Sequence, residues 1–110
     1  MSRFHHVNEV LAAVQSRFRP DQAAGVEITG QLHLTGEGGG DWVLRIHNSR
    51  LHIAPGVTDD PQAMRLTASA EDFLALANGK LDATKAYFTG KVRFKGSLRA
   101  AYRLMDLFRF

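Results

Sequence analysis

The stretch ASAEDFLALANGKLDATKAYFTGKVRFKG, residues 68–96, decides the fold. Ser69 stands where a helix N-cap belongs, with Asp72 three residues on in a weaker form of the capping box. Phe73, Leu74, Leu76 and Ala77 supply the apolar side of that helix, and Asn78-Gly79 ends it. Asp82 caps a second short helix running through Tyr87 and Phe88. Val92 and Phe94 then alternate with Lys91, Arg93 and Lys95, which predicts a strand with its apolar positions inward, and a last helix begins near Ser97. Two short helices rich in large side chains (Phe73, Leu74, Leu76, Leu81, Tyr87, Phe88) must therefore pack on the apolar face of a sheet.

The rest of that sheet lies upstream. Val26, Ile28, Leu32 and Leu34 alternate with Glu27, Thr29, Gln31 and His33, one face buried and one wet. Trp42, Leu44 and Ile46 alternate with Val43, Arg45 and His47. Asn48-Ser49 sits where a two-residue hairpin turn belongs, because asparagine tolerates positive φ. Leu51 and Ile53 continue inward, Pro55 to Pro61 reads as a loop, and Met64, Leu66 and Ala68 form a fourth strand. Ahead of the sheet, Val7, Val10, Leu11, Val14 and Phe18 share one stripe of an amphipathic helix over about 4–18, which Pro20 ends. The order predicts a single α+β domain over 1–110, with five strands and helices on one face.

Composition bounds the function. The 110 residues are 45% hydrophobic with no cysteine, which excludes disulfides and thiolate chemistry. No apolar run approaches the roughly 20 residues that span a bilayer. His5, His6, Asn8 and Glu9 interrupt any secretory core near the N-terminus, so a cytoplasmic location is expected. The net charge of +3 is uneven: Lys91, Arg93, Lys95, Arg99, Arg103 and Arg109 face only Asp106 in the last twenty residues. That basic end predicts an anionic partner surface, as in a transient membrane contact, or a phosphate-bearing ligand, with a solvated charge run as the plainer reading. No nucleic-acid motif accompanies it.

Chemistry-bearing patterns are few. Gly36, Gly38, Gly39 and Gly40 precede a strand rather than a helix, so they read as a flexible hairpin connection and not as a phosphate loop. His33, His47 and His52 share the outer face of the meander, but Arg45 and Arg50 fall among them and repel a cation, so no metal is expected. No G-x-S-x-G elbow occurs, and the acidic doublets Asp59-Asp60 and Glu71-Asp72 do not oppose each other as an acid–base pair. Catalysis and a cofactor are not expected. In the C-terminal helix, Leu98, Ala101, Tyr102, Leu104, Met105, Leu107 and Phe108 cover more than half the wheel, wider than the stripe of about 100° that packing on a core needs. The surplus face predicts contact with a membrane, a second subunit or a ligand opening.

Three motifs, L-T-G-E-G-G-G-x-W at 34–42, S-A-E-D-F at 69–73 and G-K-L-D-x-x-K-A at 79–86 followed by G-K-V-R-F-K-G at 90–96, occur in the order and spacing of one family. Over about 26–107 the chain resembles the sterol carrier protein type 2 family of lipid-binding domains. The resemblance implies a five-stranded mixed, mostly antiparallel sheet, with helices on one face around an apolar tunnel. It implies non-catalytic binding and transfer of a fatty acid, fatty acyl-CoA or sterol-like lipid, by a monomer or weak homodimer. An alternative is an accessory or dimerisation module that presents a lipid-like substrate to a separate enzyme. Ala83 departs from the family's proline and Ser97 from its acidic residue, and Arg109-Phe110 is not a peroxisomal address. On this basis Trp42, Leu44, Phe73, Leu76, Leu81, Phe88, Phe94, Tyr102 and Met105 are the expected ligand-lining residues.

Overall fold

The computed structural model describes residues 4–100 and Arg103. The chain forms α1 (Val7–Arg17), a 3-10 turn (Pro20–Gln22), β1 (Ile28–Thr35), β2 (Gly40–His47), β3 (Arg50–Pro55), β4 (Met64–Ser69), α2 (Ala70–Ala77), α3 (Ala83–Phe88) and β5 (Val92–Lys95). Helical residues resume at Leu98. The remainder of the expected C-terminal helix, with Tyr102 and Met105, lies outside the described residues.

The local signals act as their chemistry requires. The Ser69 hydroxyl accepts from the Asp72 N–H at 3.0 Å and the Asp82 carboxylate from the Lys85 N–H at 2.9 Å, each satisfying a free donor at a helix start. Gly79, at φ 74°, follows the last turn of α2. At the start of α1 the Glu9 carboxylate accepts from the His5 and His6 N–H groups, each at 2.8 Å, and these bonds hold it below the ordinary carboxylate range. Asn48 and Ser49, at φ 53° and 60°, make the tight turn between β2 and β3. The glycine run between β1 and β2 is a defined turn as well as a connection. A Cβ on Gly39 would stand 2.2 Å from the Leu34 carbonyl oxygen, so only glycine fits there.

The five strands lie in the order β3-β2-β1-β4-β5. β1 runs parallel to β4, and every other pairing is antiparallel. The segment from β3 to β4 must therefore cross β2 and β1, and it does so on the face opposite the helices. Gln31 anchors it. Alternation predicts a wet position, yet Gln31 is only 6% exposed. Its Oε1 accepts from the Thr58 N–H at 2.7 Å, and its Nε2 donates to the Gly56 carbonyl at 3.1 Å and the Trp42 carbonyl at 3.2 Å. The crossing segment dries this residue and then supplies its hydrogen bonds, which strand periodicity alone does not reveal.

On the other face the helices cover two adjoining apolar clusters. One gathers Val7, Leu11, Leu32, Leu34, Ala68, Ala70, Ala86 and Val92, and the other Ala23, Val26, Ile46 and Leu51. Val26 thus packs as expected, although β1 begins two residues later. The chain ahead of α1 is clamped to the end of α2: Asn78 accepts from the Phe4 N–H at 2.7 Å and donates to its carbonyl at 2.9 Å. Gln15 donates to the Leu51 carbonyl at 2.9 Å and ties α1 to β3. The packing expected of Tyr87 and Phe88 does not occur. α3 has only six residues and turns Ala86 inward, so its two aromatic rings stand at the surface, Phe88 79% exposed.

Two outcomes test this account. Ser49→Gly removes a side chain from a left-handed position that costs other residues about 1–2 kcal/mol. It should raise stability by roughly 0.5–1 kcal/mol and Tm by a few degrees in calorimetry. Gln31→Leu leaves the Thr58 N–H and two carbonyls without their partner and should destabilise by about 1–3 kcal/mol in urea titration.

Candidate ligand-binding layer

The inner face of the sheet is a set of rows fixed by strand register. Trp42, Leu32, Leu66 and Phe94 form one row across four strands. Ile53, Leu44, Gly30 and Met64 form the next. Leu32 and Leu34 are fully buried, but Leu44, Ile53, Leu66, Trp42 and Phe94 are only half-buried. Above them Phe73, Leu76 and Leu81 are half-buried too, packed against the same cluster. Several of the large apolar groups thus line an incompletely closed layer, while Leu32, Leu34, Ala68, Ala70 and Ala86 close the core around them.

Gly30 makes a hollow in that layer. It sits mid-strand on the central β1, facing inward between Leu44 and Met64. Among the described residues a Cβ built there would meet nothing nearer than the Met64 carbonyl oxygen at 3.9 Å, and its φ is not one that demands glycine. Neither a turn nor a close backbone approach therefore accounts for the missing side chain. Glycine inside a strand weakens it and often marks the approach of a ligand. Sequence reasoning passed over this position, although the signal was present: one inward step of an alternating central strand with no side chain.

Five of the nine expected lining residues, Trp42, Leu44, Phe73, Leu76 and Leu81, come together against one apolar cluster. Phe94 joins them through its row with Leu66. Phe88 stands apart on the surface, and Tyr102 and Met105 lie outside the described residues. At one end of the layer a cleft of about 740 Å³ opens between the start of α1, the glycine turn, Trp42 and the start of α2. At the other end a smaller cleft of about 330 Å³ has Val26 and Ile28 on its wall and Arg99 and Arg103 beside it.

The outer face has different chemistry. His47 faces Arg50 and His52 faces Arg45 across β2 and β3, the register the tight turn implies. Two imidazoles also have carboxylate partners, His33 Nδ1 with Asp41 at 2.6 Å and His47 Nδ1 with Glu27 at 3.0 Å. Both pairs are exposed. Among the described residues no three His, Cys, Asp or Glu side chains converge as metal ligands.

Comparison with known proteins agrees with this geometry. Residues 7–109 match the family described as the SCP-2 sterol transfer family. The chain is 30% identical over 101 residues to hydroxysteroid dehydrogenase-like protein 2 of Bos taurus, covering 92% of this chain but only 24% of that protein. It thus spans about a quarter of that relative's length. Among solved structures, palmitated SCP2L2 from Aedes aegypti superposes with a TM-score of 0.70 at 24% identity, over 92% of both chains. A double mutant of the sec-alkylsulfatase Pisa1, an enzyme of Pseudomonas sp., gives a TM-score of 0.82 at 18% identity, over 94% of this chain and 16% of that one. At these identities the structures establish the five-stranded α+β fold.

The interleaving of Arg45 and Arg50 with the histidines gives a direct expectation. Elemental analysis of tag-free protein should find no stoichiometric zinc, nickel or copper. One metal per chain, lost on His47→Ala or His52→Ala, would contradict it.

Proposed function

The chain belongs to the SCP-2 sterol transfer family, and from that membership we propose that it binds a lipid between its helices and its sheet and passes it on without chemical change. The observation that carries the reading is Gly30, a place at the centre of an apolar face that no described side chain fills, among large side chains that are half-covered. Trp42, Leu44, Phe73, Leu76, Leu81 and Phe94 line the proposed ligand tunnel. A straight acyl chain suits such a layer because it asks for apolar surface without specific polar partners. Burying one methylene is worth about 0.8 kcal/mol, so a chain of ~16 carbons gains roughly 12 kcal/mol on leaving water. Association costs of at least ~4 kcal/mol leave micromolar or tighter binding.

Relative to a bilayer the same chain gains almost nothing, since both surroundings are apolar. The protein therefore exchanges lipid with membranes. A transient contact with anionic membranes in the cytoplasm, through the basic C-terminal region, belongs to the same reading. The proposal assigns no catalysis, because the carboxylate–histidine pairs lie on the outer face, away from the apolar layer.

One observation favours a second reading. The matched part of hydroxysteroid dehydrogenase-like protein 2 is a quarter of that protein, so a domain of this kind occurs joined to other sequence. The chain then acts as an accessory module that holds a lipid-like substrate for a separate enzyme. Both readings need the same layer.

A fluorescent fatty acid titrated into delipidated protein tests the layer directly, with unlabelled palmitate as competitor. Saturable micromolar binding is expected. Gly30→Val should weaken it about tenfold or more, because the side chain occupies the hollow. The same change should hold or raise Tm, since valine suits a strand better than glycine by about 1 kcal/mol. Undiminished binding in a folded Gly30→Val protein would remove the ligand from this layer.

A further inference from the structure

The side chain of Asn78 is held at both of its polar atoms. Its Oδ1 accepts from the Phe4 N–H at 2.7 Å and its Nδ2 donates to the Phe4 carbonyl at 2.9 Å, so the residue that ends α2 grips the chain just ahead of α1. The grip matters because Val7 and Leu11 of α1 pack in one apolar cluster with Leu34, Ala68 and Ala70. Gly79 comes next, exposed and at φ 74°. No other asparagine of the chain precedes a glycine: Asn8 is followed by Glu9 inside α1, and Asn48 by Ser49 in the turn between β2 and β3.

An asparagine followed by glycine is a reactive pair. The glycine N–H gives its proton to hydroxide, and the nitrogen attacks the asparagine Cγ, with no Cβ on the glycine to obstruct the approach. The new C–N bond closes a five-membered imide, the bond from Cγ to Nδ2 breaks, and the departing nitrogen takes a proton from water and leaves as ammonia. Water then opens the imide at either carbonyl. One opening gives aspartate, the other isoaspartate, in which the main chain runs through the side-chain carbon. In this fold the first step is restrained. The carboxamide is pinned to Phe4, and the Gly79 N–H donates to the Leu76 carbonyl at 3.1 Å. Attack requires both to open, and the frequency of that local opening sets the rate.

We propose that Asn78 is a site of spontaneous deamidation, and that its conversion to a carboxylate loosens α1 from the apolar layer. The product keeps an acceptor for the Phe4 N–H but has no N–H to give the Phe4 carbonyl, so two oxygens face each other where a hydrogen bond stood. A negative charge also appears at the C-terminal end of α2, the end of a helix that disfavours it. In the isoaspartate form the backbone gains a methylene just ahead of Lys80 and Leu81, whose N–H groups both bond the Ala75 carbonyl, at 2.8 and 3.2 Å. Each effect strikes the joint between α1 and α2. The change runs one way, since nothing in the reaction restores the carboxamide. Under the lipid-binding reading the converted chain releases its ligand faster; the site and the loosened helix stand without that reading.

Warm incubation of the full chain at mildly alkaline pH, followed by peptide mass mapping, tests the site. Asn78 should convert ahead of Asn8 and Asn48, yet about tenfold or more slowly than in a synthetic peptide of residues 74–82, because the fold restrains it. Phe4→Pro removes the N–H that Asn78 accepts and should speed the conversion several-fold. Asn78→Asp installs the product directly. It should lower Tm by a few degrees and raise amide hydrogen exchange across α1, while β1 and β2 keep their protection. Conversion at Asn8 or Asn48 before Asn78, or a rate at Asn78 that Phe4→Pro leaves unchanged, would overturn the site. Unchanged exchange across α1 in a folded Asn78→Asp protein would show that the clamp does not hold the helix, and the proposal fails with it. Stopped-flow release of a fluorescent fatty acid, faster from Asn78→Asp than from the unchanged chain, completes the expected result. If neither protein binds the fatty acid, the lipid-binding reading fails while the site and the loosened helix are judged by mass and exchange alone.

Discussion

The buried carboxamide of Gln31 holds the crossing segment to the middle of the sheet, and the two-faced layout depends on it. A strand pair that runs parallel needs a long connection, and here that connection is not a helix. It is an irregular segment whose backbone polar groups must find partners wherever they leave water. Gln31 supplies an acceptor for the Thr58 N–H and donors for the Gly56 and Trp42 carbonyls. Arg65 adds a second tie through the Thr58 carbonyl. With the crossing fixed on the outer face, the inner one is left to the helices and to residues 23–26 among the described residues, and the apolar layer faces them.

Much of this was legible in local chemistry. The caps at Ser69 and Asp82, the turn at Asn48-Ser49 and the stop before Pro20 each answer a backbone requirement that one or two side chains meet. Alternation placed Leu32, Leu34, Ile46 and Val92 inward because one face of each strand is covered. That the sheet is mixed came only with the family resemblance, and the parallel placement of β4 beside β1 came only with the structure, since no local pattern distinguishes a strand's neighbours. Gln31 was unreadable for a related reason: its burial is made by residues about 25 positions away. Tyr87 and Phe88 misled because hydrophobicity gives a side chain's preference, whereas a six-residue helix has room to bury only one position. For the lining, the sequence indicated which large side chains share the inner face. How fully they fill it depends on where the helices rest.

The two faces divide the work by charge. The inner face carries no ionisable residue among its strand positions, from Ile28 to Phe94. The outer face carries Arg45, Arg50, Arg65, Arg93 and Lys95, with three histidines. In a sheet with period two, a surplus of one sign on the outer face leaves the core undisturbed. Its cost appears as cross-strand repulsion, as between Arg65 and Lys95, and that is tolerated more readily near an edge strand than in the middle. Lysine and arginine on β5 also discourage further strand pairing at that edge.

Gly30 brings stability and function into direct conflict. A central strand is the last place where a fold gains from glycine, since the residue gives up backbone entropy and contributes no side chain to the core. Filling the position would satisfy packing, and among the described residues nothing stands nearer to a Cβ there than 3.9 Å. Under the proposed function the vacancy is the ligand's, and the bound chain becomes the missing part of the core. Binding and folding are then linked: a ligand that enters only the folded protein stabilises it by RT ln(1 + [L]/Kd), about 2.7 kcal/mol at a hundredfold excess over Kd. That gain exceeds the roughly 0.5–1 kcal/mol lost to an interior glycine, so the loaded protein recovers more stability than the empty one gives up.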